Sequence, residues 1–179
     1  MELINKLEKV LAGWLKSLPR LPRSGQKWLA ENVWWLALIS AILTGISILF
    51  SLGAIGTYVS YSASLASFGA YNYIAAASYA SGWLISTVIS LIFSAIIVLL
   101  TAIAVNPLKA MKNRGWQLLF IIYLISAVEV VMNAVLTLSV IGFLFGIIFG
   151  AIGLIIGGYF LLQIKSYFGS TAKAKHVTK

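Results

Sequence analysis

The chain contains no cysteine and a single histidine, His176. Without thiols it can form no disulfide, thiolate metal site, iron–sulfur cluster or covalent haem link. His176 stands in a basic tail, so no imidazole is available inside the apolar stretches to hold haem or a metal, and no cofactor is expected. Charge is almost as scarce, at 9% of 179 residues, against about a quarter in soluble domains. Between Glu31 and Lys109 no side chain is charged, and between Arg114 and Lys165 only Glu129 is. These absences also remove most chemistry. No Ser-His-Asp set, carboxylate pair, HExxH, CxxC or phosphate-binding loop is present, so a membrane enzyme ranks third among the functional readings.

What remains is 61% hydrophobic, a composition suited to lipid as the solvent. The 13 Lys and Arg residues fall in three short segments: Lys6 to Lys27 before the first apolar block, Lys109 to Arg114 in the middle, and Lys165 to Lys179 at the end. A net charge of +9 would point to nucleic acid in a soluble protein. Here the basic residues flank apolar spans, so positive-inside sorting and anionic lipid headgroups account for them and no nucleic-acid partner is expected.

In residues 1–32 the sequence predicts an N-terminal amphipathic helix followed by a proline-containing linker. Leu3, Ile4, Leu7, Val10, Leu11, Trp14, Leu15 and Leu18 recur at helical spacing, and Lys6, Lys9 and Lys16 occupy the opposite face. Such a helix suits the cytoplasmic headgroup layer, with the lysines on anionic lipid; packing on a partner or on the bundle itself is the competing reading. Pro19 and Pro22 end it. No cleavable signal peptide is expected, because Lys6, Glu8, Lys9 and Lys16 interrupt any apolar core.

Residues 33–164 are expected to be an all-α integral membrane bundle of four transmembrane helices, with spans at about 33–56, 83–105, 116–138 and 140–164. Each can cross roughly 30 Å of hydrocarbon at about 1.5 Å per residue. Trp34, Trp35, Trp116, Tyr167 and Phe168 would anchor one interface, and Tyr58, Tyr61 and Trp83 the other. Asn106-Pro107 should stop the second span, leaving 106–115 as a cytoplasmic loop. The uncharged segment 57–82, rich in Ser, Ala and Tyr, reads as an outer loop, interfacial or re-entrant, because a further crossing would put Lys109–Arg114 on the wrong side. Both termini, including the basic tail 165–179, are then cytoplasmic in a multi-pass protein of the plasma or inner membrane.

Small and polar residues form stripes within the spans. Gly142, Gly146, Gly150, Gly153 and Gly157 share about 80° of one helix face, where small-xxx-small packing lets another helix approach, within this chain or in a second copy. Ser40, Thr44, Ser47 and Ser51 share a face of the first span, and Ser86, Ser90, Ser94 and Thr101 a face of the second. The third carries Ser126, Glu129, Asn133 and Thr137 together, a candidate intramembrane polar site. Glu129 is the one ionisable side chain in that interval, at a cost of about 3 kcal/mol near the bilayer centre. It is expected as a neutral acid bonded to Asn133 one turn on, serving either as structural glue or as a proton or ion site. The leading function is a non-enzymatic accessory or assembly subunit, or a membrane organiser, with a membrane protein or a second copy as candidate partner. A small transporter or channel subunit with Glu129 in its polar core is the alternative.

Overall fold

The computed structural model describes residues 2–14, 18–66, 70–136 and 140–169. Lys16, Thr137 and the tail beyond Gly169 lie outside the described residues. Among the described residues the protein is all helical, with α1 (Glu2–Trp14), α2 (Arg23–Ala66), α3 (Ala70–Lys109), α4 (Asn113–Leu136), α5 (Val140–Ile164) and a 3₁₀ turn over Lys165–Tyr167. Four of these helices are long and apolar enough to cross a membrane.

Their ends differ from the sequence expectation at two places. The expected outer loop 57–82 is not free of helix, because α2 runs to Ala66 and α3 begins at Ala70. No proline or charge interrupts it. The hydroxyls of Thr57, Ser60 and Ser64 donate to the carbonyls of Gly53, Gly56 and Ser60, each at 3.0 Å, so polar side chains are satisfied by their own helix without ending it. Nor does Asn106-Pro107 end α3, which continues to Lys109. Proline removes one amide donor there. The helix closes beyond it in a Schellman pattern, with Met111 N donating to Leu108 O and Lys112 N to Pro107 O, both at 2.9 Å. Met111 occupies the left-handed position that glycine usually fills, at φ 51°. It is held there by packing against the core and by the amide of Gly169, which donates to its carbonyl at 3.1 Å.

The chain divides into two compact units, and the division cuts each long helix. The first comprises Met1–Leu38, Leu100–Leu124 and Ala151–Lys179. Its core is built on Ala30, Ala104, Leu108, Trp116, Phe120, Leu161, Ile164 and Phe168, with Trp116 stacked on Phe120 at 5.3 Å between centroids. Trp116 is therefore a core residue. At 2% exposed, it donates from its indole nitrogen to Leu161 O at 2.9 Å, while Lys165 Nζ lies 4.9 Å over its ring. Phe168, read as an interfacial anchor, is buried in the same core.

The second unit comprises Ile39–Leu99 and Ile125–Gly150. Here large apolar side chains point outward: Phe50 is 76% exposed, Leu49 69% and Phe149 65%. In water so much exposed apolar surface would drive aggregation. Helix contacts in this unit include Gly150 against Val130, Gly146 against Ala134, and the rings of Tyr58 and Trp83 at 5.5 Å between centroids.

Candidate functional site

The polar stripes of α3 and α4 meet in the second unit. Ser86 and Ser90 lie one turn apart, so both hydroxyls point the same way, and both donate to Asn133 Oδ1, at 3.3 and 2.9 Å. The amide oxygen has two lone pairs and takes both. Interhelical bonds of this kind average about 0.6 kcal/mol in membrane proteins and reach about 1.7 kcal/mol. They therefore fix register more than they add stability.

Glu129 stands outside this network. It is half-buried one turn before Asn133, whose Oδ1 accepts from the two serines of α3. Among the described residues its carboxyl has no hydrogen-bond or ion-pair partner. Ser126 is half-buried on the same helix. On α2, Thr44 donates to the carbonyl of Ser40, while Ser40 and Ser47 are exposed, so that stripe does not converge with the other two. No cluster of His, Cys, Asp or Glu able to hold a metal occurs among the described residues.

Along the glycine stripe of α5 the positions differ. A Cβ at Gly150 would fall 2.2 Å from Val130 Cγ1, and one at Gly146 would fall 3.4 Å from Ala134 Cβ. At Gly157 it would meet the Tyr123 ring at 3.8 Å, and at Gly153 it would meet nothing within 4 Å. Gly142 has a further contact of its own. Tyr123 adds a polar tie to the same helix by donating its hydroxyl to Leu154 O at 3.0 Å.

A second group of polar contacts, unmarked in the sequence, fastens the Pro19–Pro22 linker to the end of α5. Gln163 Oε1 accepts from the Leu21 amide at 2.7 Å and from Gln26 Nε2 at 3.3 Å. The hydroxyl of Tyr159 donates to Pro19 O at 2.6 Å, and that of Tyr167 to Arg23 O at 3.3 Å. The linker carbonyls of Pro19, Leu21 and Pro22 are each given a donor: Pro22 O accepts from the Gln26 amide at 3.0 Å, Leu21 O from Gln26 Nε2 at 2.9 Å, and Pro19 O from Tyr159. On α1, Glu8 pairs with Lys165, and Leu7 and Leu11 pack against the core, while Val10 and Trp14 remain 51% and 76% exposed. Lys6 and Lys9 are exposed. No protein-family model matches the chain, and no curated protein or solved structure does either.

Proposed function

We propose that this chain is a non-enzymatic multi-pass membrane protein of the plasma or inner membrane, acting as an accessory or organising subunit, with both termini cytoplasmic. The observation that carries the reading is the Ser86–Asn133–Ser90 contact: two hydroxyls of α3 and the amide oxygen of Asn133 on α4 are spent on each other, as helix glue. The outward apolar side chains support lipid as the solvent. The free flank of α1, Val10 and Trp14 beside exposed Lys6 and Lys9, suits an interfacial helix docked on the bundle by its other flank.

Two measurements test this. Cysteines introduced singly at exposed Ser64 and Asn113 should respond oppositely to an impermeant thiol reagent; labelling of both from one side would remove the four-span arrangement. The second concerns Glu129, whose lack of a partner is the one observation favouring a transport or channel role. In an accessory protein, Glu129→Gln and Glu129→Leu should both fold and both complement a deletion strain, since the carboxyl holds nothing in place. A stable Glu129→Gln protein that fails to complement would transfer the assignment to transport, because glutamine keeps the shape and loses the proton.

A further inference from the structure

The linker, α1 and the end of α5 border a half-open cleft of about 290 Å³. Leu18 and Leu162 give it an apolar wall, and Arg20, Gln163 and Ser166 give it polar edges. The orientation of the Gln163 amide is fixed, because the Leu21 backbone amide can only donate and must face the oxygen. Its Nε2 is left as a double donor. That nitrogen, the Arg20 guanidinium and the Ser166 hydroxyl have no hydrogen-bond partner among the described residues. Among the described residues no carboxylate lines the cleft, and Glu8 is already held by Lys165. Three donor groups with no protein partner and open to a ligand, one of them a guanidinium, beside an apolar wall are the complement of a phosphodiester joined to hydrocarbon.

We propose that this cleft binds one anionic phosphodiester lipid of the inner leaflet, with its phosphate on Arg20, Ser166 and Gln163 and its first methylenes on Leu18 and Leu162. The proposal rests on the membrane reading above and adds a stoichiometric site distinct from the diffuse attraction of Lys6 and Lys9. A lipid is favoured over free phosphate because the cleft joins this apolar wall to the C-terminal end of α5, where the apolar run gives way to Lys165.

The test uses the full chain, stripped of lipid in a neutral detergent, with bound ligand counted by native mass spectrometry. Short-chain phosphatidylglycerol should bind at one copy per chain at least tenfold more tightly than phosphatidylcholine. Arg20→Gln should weaken that binding about tenfold and Ser166→Ala a few-fold. Lys9→Gln, which removes the same charge outside the cleft, should change it less than twofold. Arg20 is exposed and unpartnered, so its variant should melt with the wild type when no lipid is present. Equal affinity for the two lipids, equal loss in the Arg20 and Lys9 variants, or displacement of the lipid by inorganic phosphate at the same concentration would each overturn the site. None of those results depends on sidedness, so the cysteine-labelling experiment fails or succeeds separately.

Discussion

Gly115→Ala should lower the melting temperature in detergent by about 10 °C, or prevent folding, through one added methyl group. The cause lies in how α3 meets α4. Only Ala110, Met111 and Lys112 connect the two helices, so the first turn of α4 lies directly on the last turn of α3. A Cβ at Gly115 would fall 2.7 Å from Leu108 N and 2.8 Å from Pro107 C. Both atoms are backbone, so no rotamer change can relieve the contact and the helices must separate. Separation loosens Leu108, Trp116 and Phe120, the tightest part of the core of this unit. Overpacking costs about 1–3 kcal/mol where side chains can adjust, and here they cannot. Gly25→Ala provides the control, since its Cβ would meet nothing within 4 Å and alanine should gain up to about 1 kcal/mol of helix propensity. If the two variants melt together with the wild type, the tight turn at Gly115 is wrong.

Sequence periodicity marked out the four long apolar helices because hydrophobic length is a local property. Partners across the fold are not local. Trp116 sits at the start of an apolar run, where a tryptophan ordinarily anchors in the headgroups, but its acceptor is the carbonyl of Leu161, 45 residues further along the chain. No pattern near residue 116 carries that. Gln163 was overlooked for the same reason: a lone glutamine near the end of a span has no distinctive spacing, and its meaning comes from the Leu21 amide that it accepts. At 57–82 the charge count argues for an outer loop, but charge speaks to sidedness and not to helix. Hydropathy reports the solvent, whereas helix depends on backbone bonding, and serine and threonine bonded to their own helix leave that intact. In the polar site, the stripe of Ser126, Glu129 and Asn133 was legible on one helix, yet the partner of Asn133 came from the stripe on α3. A helical wheel shows which residues share a face and is silent about which faces meet.

The glycines of α5 allow that distinction to be measured within a single helix. Gly150 and Gly153 belong to the same stripe, but only Gly150 is covered: its Cβ would lie 2.2 Å from Val130 Cγ1 and 3.3 Å from Val130 Cβ, whereas Gly153 opens on space. Valine in a helix has one strongly preferred χ1, so Cγ1 cannot swing aside without strain. Gly150→Ala should therefore cost about 1–3 kcal/mol, roughly 5 °C in melting temperature, and Gly153→Ala should cost nothing. The cause can be checked with Val130→Ala, which removes the offending methyl and leaves a Cβ near contact distance. Alone it should destabilise modestly by emptying the space beside α5. Combined with Gly150→Ala it should restore most of the lost stability, giving a coupling of about 1–2 kcal/mol between two residues on different helices. Additive losses in the double variant, or equal melting of Gly150→Ala and Gly153→Ala, would mean that α4 does not pack on this part of the stripe.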